Sequence, residues 1–405
     1  MTRMYKTLIF TSVAVLGAVL AIAYTNDFGT DTLSAQSVSV QAVQITDQVT
    51  EAASLPLLGA GTFLGTTYYG TSYVPDDGVT RPLVDSAAQA GMSGFTLYAD
   101  WPELEPTEGV YNLTDLAENL TWLSSRGIRP YLNLTVVDID DLNLYPDWLT
   151  EDGSKFADGR SFADADIIAR FSSLLDQVVP LLLRHGGYYL GLGNEVDGRY
   201  STHLAEYADY LQFVDAARAH VHSIEPKLAV GVTVTAAAPL GMPSLFQRLQ
   251  AVTDILPFDY YGYDGALALE SNEDIHATID KIMDAYGDNL TLVQETNCPS
   301  ATASGSSPDL QAACLEVMLE SFQRYPQIRY ISVFSFSDFD SETCEFILDA
   351  FRVADEDLPN WYLPRLEGFL CEIGMVAAEG TPKPAWDVFL AQAQKLSSTV
   401  KLNPQ

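Results

Sequence analysis

Basic residues are scarce in this sequence of 405 residues. It contains 21 Lys and Arg against 54 Asp and Glu, which gives a formal net charge of −33 at pH 7. Proteins that bind nucleic acid or anionic membranes use clustered Lys and Arg to meet phosphate groups. The sequence has no such cluster. We therefore exclude nucleic acid as a partner and expect an acidic, well-solvated surface.

Histidine is also rare, with five residues at positions 185, 203, 220, 222 and 276. All five fall in or beside predicted helices, and neither a His cluster nor a C-x-x-C pair occurs. Catalytic zinc and related metals need ligand groups of that kind. We expect no metal and no cofactor, and a metal-dependent barrel hydrolase is the weakest of our three functional hypotheses.

A long uncharged stretch, Thr7–Thr25, follows Arg3 and Lys6 at the N-terminus. It contains the small-residue triplet Ala21-Ile22-Ala23, which is typical of a signal-peptide cleavage site. Residues 1–25 are predicted to be a signal peptide or, if uncleaved, a membrane anchor near the lower length limit for a span. We expect residues 26–57 to be a linker. The protein is then exported: secreted, periplasmic, or anchored at the outer face of the membrane, with the anchor as its membrane contact and its oligomeric state open.

The four cysteines all lie in the last third of the chain, at Cys298, Cys314, Cys344 and Cys371. An even number of cysteines in an exported chain favours disulfide bonds. Three pairings can be drawn from four cysteines. We favour Cys298–Cys314 and Cys344–Cys371.

Short apolar runs alternate with longer amphipathic segments from about residue 58 onward. The predicted strands are 62–69, 94–99, 129–137, 187–194, 228–235, 253–261, 289–295 and 329–336. The predicted helices are 81–91, 114–126, 163–184, 203–223, 243–250, 273–286, 308–324 and 342–353, with a final helix at 384–397. Apolar strands that alternate with helices indicate parallel strands covered by helices on the outside.

Eight strand–helix repeats favour an α/β fold of the (β/α)₈ TIM-barrel type. We expect a single catalytic domain over residues 58–400, with loop insertions chiefly at 138–162 and 353–383. A doubly wound open sheet is the alternative. It is weakened because no G-x-G-x-x-G motif follows any predicted strand.

Two glutamates end predicted strands: Glu195 closes the fourth and Glu295 closes the seventh. The carboxyl ends of barrel strands meet around one mouth, where catalytic groups lie. Alternation along a regular strand places Val293 and Glu295 on one face, so both glutamates are predicted to point inward. Two facing carboxyls about 5 Å apart are what a retaining glycosidase requires.

Three motifs carry a resemblance to a known group of enzymes. "GNE" closes the fourth strand, "VQE" closes the seventh, and "WPELEPTEGVYN" follows the second. Together they resemble clan A of the retaining glycoside hydrolases, (β/α)₈ enzymes with glutamates after strands four and seven. The resemblance implies that Glu195 is the acid/base, that Asn194 contacts the sugar 2-hydroxyl, and that Glu295 is the nucleophile. It also implies that Tyr261 donates a hydrogen bond to Glu295.

Aromatic side chains near the strand ends are candidates for sugar binding, because aromatic faces pack against pyranose rings. The candidates are Tyr98 and Trp101 after the second strand, Tyr261 and Tyr263 after the sixth, Phe336 after the eighth, and Trp361 in the 353–383 insertion. Phe336 stands where clan A usually has a tryptophan.

The sequence also departs from clan A. An arginine usual toward the end of strand two is absent from "GFTLYADW", and the strand-eight tryptophan is missing. We predict a glycoside hydrolase that cleaves O-glycosidic bonds of a poly- or oligosaccharide by double displacement. The alternative is a catalytically inactive TIM barrel that binds carbohydrate or a cell-envelope partner.

Overall fold

The computed structural model describes residues 61–68, 73–139, 142–143, 145–150, 156–345, 348 and 360–402. The strands are β1 (Phe63–Thr67), β2 (Gly94–Asp100), β3 (Arg129–Thr135), β4 (Val137–Asp138), β5 (Leu142–Asn143), β6 (Tyr189–Gly191), β7 (Ala229–Gly231), β8 (Val234–Thr235), β9 (Phe258–Asp259), β10 (Thr291–Thr296) and β11 (Ile328–Val333). The predicted leader and linker, residues 1–57, lie outside the described residues.

The helices follow the strands in alternation. They are α1 (Thr80–Ala90), α2 (Trp101–Leu104), α3 (Thr114–Ser124), α4 (Ala165–Arg184), α5 (Val196–Thr202), α6 (Leu204–Ile224), α7 (Ala237–Gly241), α8 (Pro243–Val252), α9 (Asn272–Tyr286), α10 (Pro308–Phe322), α11 (Tyr362–Cys371) and α12 (Pro384–Leu402). Residues 341–345 are also helical, and the rest of the predicted helix 342–353 lies largely outside the described part of the chain.

Nine strands form one parallel sheet in the order β7-β6-β3-β2-β1-β11-β10-β9-β8. The first and last segments in this order, β7 and β8, belong to one stretch of chain, 229–235, which lies within the single strand predicted at 228–235. Its first part pairs with β6 and its second part pairs with β9. The sheet is curled and carries helices between its strands. The prediction of an α/β fold of the TIM-barrel type is therefore confirmed in its general form.

Local sequence explains where the helices begin and which face they bury. The Ser271 hydroxyl accepts from the Asp274 amide before α9, and the Ser307 hydroxyl accepts from the Leu310 amide before α10, as N-cap residues do. The long helix α4 buries one apolar stripe against the sheet. These stripes and the outward residues of the strands form the main core.

The inside of the sheet is filled in layers. At the amino ends of the strands lies a tyrosine-rich cluster, which consists of Tyr131, Tyr188, Tyr189, Ala229, Ile255, Leu292 and Tyr330. Polar residues follow above it, including Asn133, Thr233 and Gln294, all fully buried. Carboxyl groups come last, at the carboxyl ends of the strands. This polarity gradient places the carboxyl groups at the end of the sheet where TIM-barrel enzymes have their active sites.

Both disulfide predictions are confirmed. Cys298 bonds Cys314 with a Cα–Cα distance of 6.2 Å, and Cys344 bonds Cys371 with a Cα–Cα distance of 5.6 Å. The second bond ties residues 341–345 to α11, a helix that the sequence pattern did not predict. Among the described residues, no helix combines the length and apolar content that a membrane span requires.

Candidate active site

Glu195 lies in the turn between β6 and α5. Strand β6 ends at Gly191, and Glu195 directly precedes α5 with φ 43° and ψ 41°. This left-handed conformation is uncommon for a residue with a side chain, and such strain concentrates at functional sites. The predicted strand through residue 194 is therefore too long. The turn nevertheless brings Glu195 to the carboxyl ends of the strands, where it is 7% exposed.

The turn is anchored to the segment that follows β3. The Asn194 backbone amide donates to the Val137 carbonyl (2.9 Å), and the Ile139 amide donates to the Asn194 carbonyl (3.1 Å). The Asn194 side-chain amide donates to Asp138 Oδ1 (3.1 Å). These bonds fix the residue before Glu195 on both its backbone and its side chain.

The glycine before this pair is required by close packing. A Cβ on Gly193 would lie 2.4 Å from the Tyr210 hydroxyl oxygen and 2.8 Å from Val196 Cγ1. Both distances are shorter than van der Waals contact, so a larger residue fits only if these buried side chains shift. This explains why glycine stands at position 193, between the end of β6 and Asn194.

Glu295 lies within β10 and is held by two tyrosines. The Tyr98 hydroxyl donates to Glu295 Oε1, and the Tyr261 hydroxyl donates to Oε2. The phenol from Tyr261 is the contact that the clan A resemblance implied. Glu295 is 7% exposed, so both donors act in a largely dehydrated environment.

The strand is irregular at this point. The Tyr98 hydroxyl also accepts from Gln294 Nε2 (2.9 Å), so two consecutive residues of β10 reach the same inward group. In a regular strand, neighbours point to opposite faces. The pairing of β10 with both of its neighbours shifts register between Val293 and residues 295–296. Val293 packs in the outer core. The predicted common face of Val293 and Glu295 is therefore wrong, and the register shift turns Glu295 inward.

Gln294 connects the groups beneath the two glutamates. Its Oε1 accepts from the Tyr131 and Thr233 hydroxyls, and its Nε2 donates to Asn194 Oδ1 as well as to Tyr98. The side chain is fully buried. One amide thus joins the residue beside Glu195 to a tyrosine that holds Glu295.

The surroundings set the two glutamates apart chemically. Burial, repulsion from Glu295, and repulsion from Asp197 and Asp138 raise the pKa of Glu195 well above its ordinary value. Burial also raises the pKa of Glu295, but the hydrogen bonds from Tyr261 and Tyr98 act against that rise. Glu195 is therefore the better proton donor, and Glu295 is the group stabilised as a carboxylate.

Four further acidic side chains lie at or just after the carboxyl ends of the strands: Asp100, Asp138, Asp197 and Asp259, all 5% exposed or less. Burial raises the pKa of each. Asp197 accepts from the Thr235 amide (2.8 Å) and hydroxyl (2.6 Å), which limits the rise in its pKa to about 6. Burial and repulsion from Glu295 and Glu195 raise the pKa of Asp259, and a backbone hydrogen bond from Glu295 acts against that rise.

An aromatic wall, formed by Tyr261, Tyr263, Phe334, Trp361 and Phe369, stands beside Glu295. Tyr261 and Tyr263 stack with ring centroids 5.9 Å apart, and Phe369 packs edge-on against both. Phe334 meets Tyr261 edge-on at 6.2 Å. Three predicted sugar-binding residues, Tyr261, Tyr263 and Trp361, are thus brought together, and each is partly exposed.

Three other predicted roles do not fit the positions observed. Trp101 is fully buried, and its indole N–H donates to Glu105 (2.7 Å), so it has no free face for a sugar. Phe336 is 1% exposed and packs against Trp386 in the outer core. Tyr98 is 5% exposed and serves as a donor to Glu295 rather than as a stacking surface.

Sequence reasoning missed several residues of the site; they are Asp100, Asp138, Asp197, Asp259, Gln294, Phe334 and Phe369. Gln294 and Phe334 lie within one or two residues of positions that the motifs had singled out. Phe334, not Phe336, packs against Tyr261. Within the described part of the chain, no group of three or more His, Cys, Asp or Glu is arranged to hold a metal ion.

The sequence matches no known family profile and no curated protein. Its fold is similar to that of several solved glycoside hydrolases. An exo-β-1,4-mannosidase from Opitutaceae bacterium strain TAV5 matches with a TM-score of 0.63 and 18% identity, over 84% of this chain and 61% of that one. A GH5_18 enzyme from Bifidobacterium longum subsp. longum, in complex with Manβ1-4GlcNAc, matches with a TM-score of 0.61 and 16% identity, over 84% and 78% of the two chains.

A GH5_18 enzyme from Streptomyces cattleya, in complex with GlcNAc, matches with a TM-score of 0.62 and 14% identity, over 85% and 82% of the two chains. These structural neighbours are clan A glycoside hydrolases. At identities this low, the likeness establishes the shared fold. The resemblance to clan A that the motifs carry is thus confirmed in the architecture on which those motifs lie.

Proposed function

We propose that this protein is a retaining glycoside hydrolase that cleaves O-glycosidic bonds of a poly- or oligosaccharide. We further propose that its sheet closes into an eight-stranded barrel. In that barrel the 229–235 stretch is one strand, which pairs with β6 through its first part and with β9 through its second part. One observation carries the functional proposal: Glu195 and Glu295 repel each other at the carboxyl ends of the strands, and two phenols bond the second glutamate alone. That asymmetry supplies one acid and one nucleophile.

In the first step, the Glu295 carboxylate attacks the anomeric carbon while Glu195 gives its proton to the departing glycosidic oxygen. A covalent glycosyl-enzyme forms, and the alcohol leaves. In the second step, the Glu195 carboxylate takes a proton from water. The oxygen of that water bonds to the anomeric carbon, and the Glu295 carboxylate is released.

Glu295 stops repelling Glu195 after the first step, and this helps Glu195 to change from an acid into a base. Once Glu295 is esterified it carries no charge, so the pKa of Glu195 falls and its carboxylate becomes the stable form. The same side chain can then act as a base. Tyr98 and Tyr261 orient the Glu295 carboxylate for its attack, because their hydroxyls lie on its two oxygens.

We assign sugar positioning to Asn194 and to the exposed parts of the aromatic wall. Asn194 lies beside Glu195, and the resemblance to clan A implies that it contacts the sugar 2-hydroxyl. Tyr263 and Trp361 offer partly exposed rings on the side of Glu295. The two disulfides support export to an oxidising compartment, which is where an enzyme acting on an external polysaccharide would work.

The test is hydrolysis of a panel of aryl β-glycosides and polysaccharides by the wild type, Glu195→Ala and Glu295→Ala. Each variant should lose roughly 10³-fold or more in kcat. Added azide should restore activity to both, with β-glycosyl azide from Glu195→Ala and α-glycosyl azide from Glu295→Ala. Those products separate the acid/base from the nucleophile.

Glu118→Gln is the control, because Glu118 is an exposed glutamate on α3. It should behave as the wild type does. Hydrolysis that persists in both alanine variants, or products of inverted configuration from the wild type, would refute the proposal. A wild type inactive on the whole panel would point instead to the carbohydrate-binding alternative.

A further inference from the structure

Asp100 is a buried carboxyl group that no step of the double displacement uses. It ends β2 and directly precedes α2. An aspartate at that position ordinarily caps the helix by accepting from its first backbone amides. The Asp100 side chain forms no cap hydrogen bond, and none of the described residues donates a hydrogen bond to it. Its carboxyl is therefore available to a ligand.

The register of β2 turns Asp100 toward the inside of the sheet. Residues two apart on a regular strand share a face, and Tyr98, two residues before Asp100, reaches Glu295 on the inside. The pairing of β2 with β3 is regular from Gly94 through Asp100. Asp100 therefore lies about 6 to 7 Å beyond Tyr98 along the strand, on the same face and nearer the carboxyl end.

Thr135 lies beside Asp100 on the next strand. The two residues are register partners at the ends of β3 and β2. The amide nitrogen of Asn133, two residues before Thr135, lies 3.5 Å from Oε1 of the buried Gln294, so Thr135 also faces inward. The Thr135 hydroxyl is buried and has no hydrogen-bond partner among the described residues. Such groups are uncommon in folded proteins, and a bound ligand is one way to satisfy them.

Asp100 lies close to the two glutamates as well. Burial raises the pKa of Asp138, and repulsion from Asp100 and from Glu295 adds to that rise, so Asp138 lies near both groups. Asp100 is 5% exposed, and Glu195 and Glu295 are each 7% exposed. The three carboxyl groups are thus open to a ligand to a similar small extent. A sugar unit placed between the two glutamates is therefore within reach of Asp100.

The chemistry of Asp100 and Thr135 matches a hydroxyl group rather than a charged group. Burial and repulsion from Glu103 raise the pKa of Asp100 well above its ordinary value, which favours the neutral carboxylic acid. A neutral carboxylic acid both donates and accepts hydrogen bonds, as does a threonine hydroxyl. A sugar hydroxyl also donates and accepts. The two side chains can therefore bind a sugar hydroxyl without any charge on the ligand.

We propose that Asp100 is a specificity-determining residue, which binds, together with Thr135, one hydroxyl group of the sugar unit held between the two glutamates. That hydroxyl is not the one at carbon 2, which is assigned to Asn194. The inference rests on the proposed glycosidase function and adds a requirement to it: accepted sugars carry a free hydroxyl at that carbon. A deoxy sugar would leave buried polar groups without a partner, and enzymes reject such analogues strongly.

The test uses the aryl β-glycoside that the wild type hydrolyses fastest, together with its 3-, 4- and 6-deoxy analogues. For each analogue, the measured quantity is the ratio of kcat/KM for the parent glycoside to kcat/KM for the analogue. In Asp100→Ala this ratio should fall by about tenfold or more at one carbon and keep the wild-type value at the other two. Thr135→Val, which removes only the hydroxyl, should lower the ratio at that same carbon.

Asp100→Asn separates a hydrogen-bonding role from a charged one, because the amide keeps a donor and an acceptor in the same shape. It should keep most of the wild-type ratio at that carbon. A loss as complete as that in Asp100→Ala would overturn the inference.

Asp284→Ala is the matched control, because Asp284 is an exposed aspartate on α9. It should leave all three ratios unchanged. Wild-type ratios at every carbon in both Asp100→Ala and Thr135→Val would overturn the inference and leave the glycosidase proposal intact. If Asp100→Ala does not fold, Thr135→Val decides alone.

If the wild type hydrolyses no aryl glycoside, the glycosidase proposal fails, and binding decides the inference separately. Calorimetric titration with the aryl β-glucoside, β-mannoside and β-galactoside and with their deoxy analogues is the measurement. Weaker binding of one deoxy analogue by the wild type, with that difference lost in Asp100→Ala, would support the inference. Equal binding of all analogues by the wild type, a difference that survives in Asp100→Ala, or no binding at all would overturn it.

Discussion

At the scale of single residues, Gln294 shows how the site is held in shape without charge. Its amide oxygen accepts from two hydroxyls and its amide nitrogen donates to Tyr98 and Asn194. A carboxylate at this position could not donate, and would add a further charge beneath Glu195 and Glu295. A neutral side chain with both donors and an acceptor is therefore the suitable choice beneath the two glutamates.

We expect Gln294→Leu to reduce kcat by more than it raises KM, because Tyr98 and Asn194 lose a common partner without losing their places in the sheet. Stability should fall by about 1 to 3 kcal/mol, since the Tyr131 and Thr233 hydroxyls are left buried without an acceptor. Steady-state kinetics and urea denaturation measure the two effects.

The matched control for this prediction is Gln392→Leu. Gln392 is 5% exposed on α12 and accepts from Gln323 (3.0 Å), away from the site. It should lower stability and leave kcat unchanged. Equal losses of kcat in the two variants would show that Gln294 acts only through stability.

At the scale of elements, strand β10 and the turn after β6 carry the two glutamates, whereas α11 supports the aromatic wall. Phe369 of α11 packs against Tyr261 and Tyr263, and the Cys344–Cys371 bond ties the end of α11 to residues 341–345. The reactive pair and the aromatic wall are thus held by different parts of the chain. Damage to α11 should affect sugar binding before it affects bond cleavage.

Replacing both Cys344 and Cys371 by serine should lower the free energy of unfolding by about 3 kcal/mol, because the bond closes a loop of 27 residues. We expect KM to rise several-fold while kcat changes little. The measurements are thermal unfolding and steady-state kinetics on an active substrate. A large loss of kcat with KM unchanged would contradict the division between α11 and the strands.

The sequence allowed the order of elements, both disulfide pairs and the positions of Glu195 and Glu295 to be predicted. It did not allow us to predict the local geometry that brings these side chains together. Glu295 points inward because of a register shift in β10, and register depends on both neighbouring strands rather than on alternation within one. Likewise, Glu195 reaches the site from a left-handed turn that no periodicity predicts.

The predictions of sugar-binding aromatic residues were wrong at Trp101 and Phe336 for a related reason. An exposed tryptophan for a sugar and a buried tryptophan in a core look alike in sequence, so Trp101 could be placed only by its contacts with Trp148 and Phe171. Phe334 and Phe336 differ by two positions, yet one packs against Tyr261 and the other against Trp386. Tertiary packing decides between such candidates.

At the scale of the whole molecule, acidic residues are abundant both outside and inside. The full sequence has a formal net charge of −33, and buried carboxyl groups lie at the carboxyl ends of the strands. Ionisation of the exposed acidic residues opposes folding through mutual repulsion. Ionisation of the buried carboxyls opposes folding because the charged groups lose their hydration. Stability should therefore respond to pH in a direction opposite to that of proteins held by paired carboxylates.

Burial raises the pKa of Asp197 from 3.8 to about 6, that of Asp338 from 3.8 to about 6, and that of Glu270 from 4.5 to about 7. A raised pKa in the folded state means that the unfolded chain releases its proton first. The contribution of these groups to stability is then full only below their unfolded pKa values of 3.8 to 4.5, and it is lost as the pH rises through about 6 to 7. We expect the Tm to decrease over that interval, and Asp197→Asn to flatten the slope, because it removes one of the titrating groups. Calorimetry across the interval at constant ionic strength measures this, and a Tm that climbs steadily with pH would mean that these carboxyls are ionised in the folded protein.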